Sequence, residues 1–289
     1  GALWAGWLGD TSVSSPAVVD GIVYVGGNRR LHTFDAAGVL NCSGGACSPL
    51  WSSEELEQPF TGTVNSPAVW NRRVYVTTHT GGLHVLDAGG VEGCAGTPTT
   101  CVPLWSAPMA SSYTTPAVAD GKVFVAGNDG TLRVFDANGR INCSGTPTTC
   151  SPLWSAPIGG RLWSPAVAGG TVYVGSYQHD ALYAYDAAGI TNCSGTPAIC
   201  SPLWSAPTGG AAGTPSVANG VVYVGSADHN VYAFDAAGTV NCSGAPRKCA
   251  PLWTGATGGA IIWPPAISDG VLFVAPRDDH LYAFELERT

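Results

Sequence analysis

The chain repeats one sequence pattern six times, at a period near 50 residues. Each copy contains the dipeptide Leu-Trp, and a motif close to Ser-Pro-Ala-Val lies between successive dipeptides. The motif prolines are Pro16, Pro67, Pro116, Pro165, Pro215 and Pro265, separated by 51, 49, 49, 50 and 50 residues. A steady period of this length is typical of solenoids and propellers, and it constrains the fold more than any single residue does.

The fourth copy shows how one repeat divides into strands. Ser164–Ala168 ends at two glycines, and Thr171–Gly175 alternates β-branched and aromatic residues, which favours a β-strand. Leu182–Asp186 follows a polar turn, and Pro202–Ala206 follows a segment with two cysteines. We name these predicted strands A, B, C and D. Four antiparallel strands in a repeat of this length make one blade of a β-propeller.

The two ends of the chain predict the number of blades. The chain starts with a lone D strand at Leu3-Trp4 and finishes with a C strand at Leu281–Glu285. We therefore predict one all-β domain over residues 1–289, a six-bladed β-propeller with four antiparallel strands per blade. The N-terminal strand would complete the last blade and close the ring, which removes exposed edges. The predicted blades are approximately 11–55, 61–108, 110–157, 159–207, 209–255 and 259–289 with 1–8.

Ten cysteines form five close pairs, each between strands C and D of one repeat. We predict five local disulfides, formed in an oxidising compartment. Zinc is the alternative, but the pairs lie on separate repeats and lack the spacing of zinc motifs. The sixth repeat has no such pair, because the termini are expected to meet there. The pairs are Cys42/Cys47, Cys94/Cys101, Cys143/Cys150, Cys193/Cys200 and Cys242/Cys249.

Four segments carry a resemblance to a known family: Ser66–Val69, Val222–Gly225, Val231–Asp235 and Pro251–Trp253. Their succession resembles the PQQ-like β-propeller repeat of quinoprotein dehydrogenases and BamB-like proteins, over essentially the whole chain. The resemblance implies the propeller fold. Family members that use the quinone have two adjacent cysteines and a metal ion held by Glu, Asn and Asp. No two cysteines are adjacent here, so no cofactor residue is carried over.

Composition limits the kinds of partner. The formal net charge is −8 and only 11% of residues are charged, which argues against binding nucleic acid or an anionic membrane surface. No apolar run approaches the roughly 18 residues that span a bilayer. Together with the disulfides, this predicts a secreted, periplasmic or cell-surface protein, and we expect a monomer.

The loops between strands D and A differ most among the copies. The fourth and sixth copies place Trp163 and Trp263 at equivalent positions, whereas the fifth, Gly209–Gly213, has almost no side chains. Two indoles beside a bare segment predict a groove that could stack a sugar ring or a planar ligand. Alternatively, both indoles fill the axial channel or cap the core. The predicted ligand-binding residues are Trp163, Trp263, Arg161, Tyr113, Asn65 and Tyr177.

The loops between strands B and C carry four of the six histidines. Imidazole and carboxylate are good metal ligands, so His179, His229, Asp228 and His280 are candidates for a metal site. Asp and Asn at such positions also have a plain role in hairpin turns. Since their spacing matches no metal motif, we predict no metal site.

Two other repeated polar residues have structural explanations. An acidic residue ends strand C in every copy, and its repetition favours a turn-capping role over an acidic site. Asn-Cys-Ser matches the glycosylation sequon and otherwise starts the cysteine loop. The acidic residues are Asp35, Asp87, Asp136, Asp186, Asp235 and Glu285, and the asparagines are Asn41, Asn142, Asn192 and Asn241.

The leading functional hypothesis is a non-catalytic binding module with its site around Trp163 and Trp263. Its partner would be a carbohydrate, a small planar ligand or an extracellular protein. One alternative is a quinone- or metal-dependent oxidoreductase with its site at the top of the central channel. Another is an assembly scaffold that contacts proteins through its blade edges. No cofactor is predicted, and PQQ or a divalent metal belongs only to the oxidoreductase alternative.

Overall fold

The computed structural model describes residues 1–9, 14–27, 29–56 and 63–286. Every regular element in these residues is a β-strand, and they contain no helix that is long and apolar enough to cross a membrane. The strands belong to two compact units, residues 1–127 with 135–152 and residues 128–134 with 153–289. The predicted blade limits at residues 11, 61 and 289 lie outside the described residues, and the prediction of a single domain stays a prediction.

The first unit holds the strands of the first two repeats and part of the third. Its A strands are Ala17–Val19, Ala68–Trp70 and Ala117–Ala119, and its B strands are Ile22–Gly27, Arg73–Thr77 and Lys122–Ala126. Its C strands are Arg30–Asp35 and Gly82–Asp87. Its D strands are Ala5–Gly6, Trp51–Ser53 and Trp105–Pro108. Its cysteine segments form the hairpins Cys42–Ser43 with Ala46–Cys47, Cys94–Ala95 with Thr100–Cys101, and Cys143–Ser144 with Thr149–Cys150. Strand Thr131–Asp136, the third C strand, contributes residues to both units.

The second unit repeats the same elements. Its A strands are Ala166–Ala168, Ser216–Ala218 and Ala266–Ser268, and its B strands are Thr171–Ser176, Val221–Gly225 and Val271–Val274. Its C strands are Ala181–Asp186, Asn230–Asp235 and Tyr282–Glu285, and its D strands are Trp154–Pro157, Trp204–Pro207 and Trp253–Ala256. Its cysteine hairpins are Cys193–Ser194 with Ala198–Cys200 and Cys242–Ser243 with Lys248–Cys249.

Complete sheets contain six strands rather than the predicted four. Strands A, B, C and D are antiparallel neighbours, and the cysteine hairpin of the next repeat then joins the outer edge of D. The hairpin pairs with D in parallel, as where Thr100 lies opposite Ser52 and Cys101 opposite Ser53. The sequence predicted a loop here, because two-residue strands carry too short a pattern to detect. The all-β class is confirmed, and the repeated sheets fit a β-propeller.

Prolines set the limits of strands A and D. Strand A of the fourth repeat begins at Ala166, after Pro165, and strand D begins at Trp204, after Pro202. Proline has no N–H to donate to a sheet, so it is excluded from the interior of a strand. The predicted strands were therefore too long at these ends.

The five predicted disulfides are confirmed, and no cysteine is free. Each bond joins opposite residues of its hairpin, as Cys242 and Cys249 do. The capping role of the repeated aspartates is also confirmed. The Asp235 carboxylate accepts the N–H groups of Ala237, Thr239 and Val240. Like Asp235, each of Asp35, Asp87, Asp136 and Asp186 accepts the N–H of the residue four positions on.

The turn after strand C places a glycine against the tryptophan of the preceding D strand. Gly238, at φ +66, lies so close to the indole of Trp204 that an added Cβ would overlap the ring. Trp204 is 2% exposed and packs in a core with Phe234 and Tyr173. The same arrangement joins Gly90 to Trp51, Gly139 to Trp105 and Gly189 to Trp154.

The first residues of the chain follow the same pattern within their unit. Gly38 lies against Trp4, whose indole N–H donates to the carbonyl of Ala36, as Trp204 does to Ala236. Ala5–Gly6 pairs in parallel with a cysteine hairpin, as other D strands do. Tyr282–Glu285 ends a three-stranded sheet in the second unit. Closure of the ring by the first strand stays a prediction.

Candidate functional site

The best-defined cluster of predicted site residues lies in the fourth repeat, within the second unit. Leu162 of the D–A loop forms an antiparallel bridge to Ser176, the last residue of the B strand. The Trp163 N–H donates to Gly175 O at 3.1 Å, and the Tyr177 N–H donates to Arg161 O at 2.8 Å. These backbone bonds hold Arg161, Trp163 and Tyr177 side by side.

The three side chains form what we call the aromatic–arginine cluster: Arg161, Trp163 and Tyr177. The Arg161 guanidinium carbon lies 4.9 Å from the centre of the Trp163 ring, which is a cation–π contact. The Trp163 and Tyr177 rings are 6.4 Å apart, tilted by 59°. Tyr177 is 49% exposed, and Trp163 is half-buried. The cluster therefore places a cation against the Trp163 ring, with the exposed Tyr177 beside them.

Neighbouring residues fix the loop that carries Arg161. The Gln178 side-chain oxygen accepts the Arg161 N–H. A Cβ at residue 160 would lie 2.5 Å from that oxygen, and one at residue 159 would lie 2.9 Å from His179 Nε2. Gly159 and Gly160 both have positive φ, a conformation that favours glycine, and a side chain at either position would displace His179 or Gln178. Gln178 is not among the residues predicted from the sequence, where its only signal is its place beside Tyr177.

Trp263 stands apart from this cluster. Its side chain is 56% exposed, which does not fit a core plug, and no ring contact within the described residues joins it to Trp163. The small residues predicted to form a groove floor, Ala211 and Ala212, are buried. A Cβ at Gly213 would lie 2.7 Å from Ile262 O. Close packing of the backbone explains the small side chains, and the groove stays a prediction.

Tyr113 and Asn65 belong to the first unit and differ in role. The Tyr113 hydroxyl lies 3.1 Å from His79 Nε2, with the two rings 4.4 Å apart, and Tyr113 is 49% exposed. The Asn65 amide donates to Thr77 Oγ1 and Ser112 O, both at 2.9 Å. Both side-chain amide protons of Asn65 are donated within the protein, so this side chain links its own loop to the loop that contains Ser112.

The metal candidates have local roles in their hairpins. Asp228 accepts the Asn230 N–H at 3.1 Å, and His229 sits in a left-handed turn at φ 73. His280 Nδ1 lies 2.6 Å from Asp278 O, and His179 approaches Gly159. Among the described residues, no three His, Cys, Asp or Glu side chains are grouped to hold a metal ion. The hydrogen bond from Asn230 fits the turn-forming interpretation of Asp228.

Two further histidines, His32 and His84, lie on C strands. Their Nδ1 atoms are 2.8 Å from Ser52 Oγ and 3.0 Å from Ser106 Oγ, on the adjacent D strands. Burial lowers the pKa of His32 and lowers that of His84 to about 4. Both are thus neutral at pH 7, because a charge is costly in such surroundings. They serve packing between strands.

Comparison with known proteins places this repeat in a family. A family model described as outer membrane protein assembly factor BamB matches residues 45–149 and 146–246. No curated protein sequence matches the chain.

Solved structures support the fold. The chain is similar to the computationally designed protein Ika8, with a TM-score of 0.71 and 14% identity over 98% of this chain and 74% of that one. It is also similar to a chain of a mitotic checkpoint complex, with a TM-score of 0.61 and 12% identity over 92% and 73%. BamB from Moraxella catarrhalis aligns at a TM-score of 0.47 and 14% identity, over 96% of this chain and 83% of that one.

At these identities the structures show the fold alone, whereas the family model covers more than half of the sequence. The chain belongs to the family described as outer membrane protein assembly factor BamB.

Proposed function

We propose that this protein is a non-catalytic module that binds another protein outside the cytosol, with the aromatic–arginine cluster as its contact. The observation that carries this proposal is the stack of Arg161 on Trp163 beside the half-exposed Tyr177. Trp, Tyr and Arg are the residues most enriched at the energetic centres of protein interfaces. The family description, an assembly factor, favours a protein partner.

The geometry of the cluster suits recognition. Arg161 is held by its contact with Trp163 and by the backbone bonds of its loop, so little side-chain entropy is lost when a partner binds. Its charge favours an acidic group on the partner, beside an apolar surface that covers Tyr177.

The proposed location follows from the cysteines. All ten are paired in five disulfides, and such bonds persist in secreted, periplasmic or cell-surface proteins. An extracytoplasmic partner is therefore part of the proposal.

The proposed architecture is one six-bladed ring, completed by the N-terminal strand, in a monomer. It is supported by Trp4, which meets Gly38 as the other D-strand tryptophans meet their glycines. It is also supported by the last sheet, which has three described strands and no D strand among them.

Carbohydrate binding at Trp263 is a second candidate. This indole is 56% exposed, and an exposed indole face can stack on a sugar ring.

Site-specific photocrosslinking tests the main proposal. A benzophenone amino acid replaces Tyr177 in the producing cell, and the control replaces Ile190, which is 78% exposed in the same unit. We expect a discrete protein adduct from position 177, absent from position 190 and lost with Arg161→Ala. Identical adducts at both positions, or none at 177, would overturn the proposal. Saturable PQQ binding with reduction of the quinone would favour the oxidoreductase instead, and retention on an oligosaccharide panel that Trp263→Ala abolishes would favour the carbohydrate candidate.

A further inference from the structure

The chain contains two Asn-Gly sequences, and both lie in turns that recur from repeat to repeat. Asn219-Gly220 forms the turn between strands A and B of the fifth repeat, and Asn138-Gly139 lies in the turn after strand C of the third. In such a pair the backbone nitrogen of glycine can attack the side-chain amide of asparagine, because glycine has no Cβ to hinder the approach. The hydrogen bonds of the two turns decide which pair can react.

The Asn138-Gly139 turn uses the atoms that this attack needs. The Gly139 N–H donates to Asp136 O at 3.1 Å, and the Asn138 N–H donates to Asp136 Oδ1 at 3.2 Å. The Asn138 side chain also forms a hydrogen bond with the Asp136 carboxylate. Gly139 packs so closely on the Trp105 indole that an added Cβ would overlap the ring. Both the attacking nitrogen and the amide are therefore held in place.

The Asn219-Gly220 turn leaves the same atoms available. Among the described residues, neither the Gly220 N–H nor the Asn219 side-chain amide has a hydrogen-bond partner. Both residues are exposed, and a Cβ at Gly220 would meet no atom. The first residue of this turn is exposed in all six repeats, so the exposure is a property of the repeat.

We propose that Asn219 is a site of spontaneous deamidation. The Gly220 nitrogen loses its proton to hydroxide and attacks the side-chain carbonyl carbon of Asn219. A C–N bond forms, and the amide nitrogen takes up a proton and leaves as ammonia. Water then opens the cyclic imide at either carbonyl. Attack at the side-chain carbonyl gives aspartate, whereas attack at the backbone carbonyl gives isoaspartate, in which the main chain runs through the former side chain. Water is the only co-reactant.

Other repeats show which product the fold accepts. Asn219 has φ 50, and aspartate occupies the same turn position in three other repeats with φ of 49, 49 and 50. The aspartyl product therefore fits this turn unchanged. The isoaspartyl product adds a methylene to the main chain, and so short a turn between paired strands can hold it only if Gly220 moves. The three aspartates are Asp20, Asp120 and Asp269.

Hydrogen bonds connect Gly220 to a core tryptophan. Gly220 O accepts the Ala236 N–H at 3.0 Å. Ala236 O in turn accepts the Trp204 indole N–H at 3.3 Å. The turn that begins at Ala236 also carries Gly238, which lies against the same indole. The isoaspartyl form therefore loosens the packing around Trp204, whereas the aspartyl form preserves it.

Peptide mapping of the aged full-length chain tests the proposal. The protein is incubated at mildly alkaline pH, and mass spectrometry follows the conversion of each asparagine and distinguishes isoaspartate from aspartate. Asn219 should react at least about tenfold faster than Asn138, since the second site must first lose hydrogen bonds that together slow it by about this factor. In urea the two sites should react at similar rates. Equal rates in the folded protein, or earlier conversion of Asn138, would overturn the proposal.

Two variants test the link to Trp204. Asn219→Gly removes the amide and reproduces the Gly-Gly turn of the fourth repeat, and Asn219→Asp reproduces the aspartyl product. Oxidation of Trp204 by a brief pulse of hydroxyl radicals should rise with the isoaspartate content of the aged native chain. It should stay at its initial level in fresh Asn219→Asp and in aged Asn219→Gly. A rise in aged Asn219→Gly, or no rise in an isoaspartyl-rich native sample, would overturn the link.

Discussion

Trp204 and Trp253 occupy the same position in successive repeats, each after Pro-Leu at the start of strand D, but they lie in different surroundings. Trp204 is 2% exposed, and Gly238 and the cysteine hairpin of the next repeat cover it. Trp253 is 36% exposed and contacts Phe284, with ring centres 5.2 Å apart. The comparison shows that a repeat does not bury its own tryptophan. Burial comes from the turn and hairpin of the repeat that follows.

The largest expected difference is in the cost of removing each ring. Trp204→Ala should lower the free energy of unfolding by about 3–5 kcal/mol, because it empties a closed core position. Trp253→Ala should cost less, about 2 kcal/mol, since about a third of this residue is already in water. Chemical denaturation of the two variants measures this. Equal losses of unfolding free energy would show that the two indoles are buried to the same extent.

A glycine substitution tests the packing of Gly238 against the Trp204 indole directly. Gly238→Ala places a methyl group into the indole at a left-handed φ of +66, so we expect a loss of about 3 kcal/mol from overpacking and backbone strain. Gly270 is the matched control, with φ +78 and no atom near its Cβ position. Gly270→Ala should cost only about 1–2 kcal/mol, the backbone part of the effect. Thermal unfolding of both variants separates the two contributions.

The disulfide of the covering hairpin should contribute a smaller amount. Cys242 and Cys249 are seven residues apart in sequence, and closing so short a loop stabilises by about 2–2.5 kcal/mol in the chain-entropy model. Replacing both by serine should lower the unfolding midpoint and increase quenching of Trp204 by acrylamide. If the unfolding midpoint does not change, the disulfide does not stabilise the hairpin that buries Trp204.

The smallest effect concerns pH. Burial alone would raise the pKa of Asp235, but the Thr239 side chain and the N–H groups of Val240, Thr239 and Ala237 lower it overall. Because the folded pKa is below the unfolded value of about 3.9, this stabilisation is present above that pH and is lost as the pH falls further. Stability should therefore decline in acid, with Trp204 becoming more accessible. Asp235→Asn should flatten that decline, and an unchanged pH profile would exclude a role for this carboxylate.

The sequence was sufficient for the features that each repeat encodes by itself. Alternating Val and Tyr predicted strand B, paired cysteines predicted the disulfides, and the recurring aspartate predicted its turn-capping role. Each of these depends on residues within a few positions of one another, so a short window of sequence carries the signal.

Features that depend on the next repeat could not be predicted. The parallel pairing of Cys101 with Ser53 and the contact of Gly90 with Trp51 join residues about one repeat apart, and the short hairpin strands have no periodic pattern. The stacking of Arg161 on Trp163 depends on the geometry of a loop.

Oxidative footprinting of individual tryptophans measures whether the repeat that follows is what buries a D-strand tryptophan. The intact protein is exposed to a brief pulse of hydroxyl radicals, and mass spectrometry gives the oxidation of each indole. Trp253 should react about tenfold faster than Trp51, Trp105, Trp154 and Trp204, in line with 36% against at most 3% exposure. Equal protection of all five tryptophans would show that burial does not depend on the turn and hairpin of the following repeat.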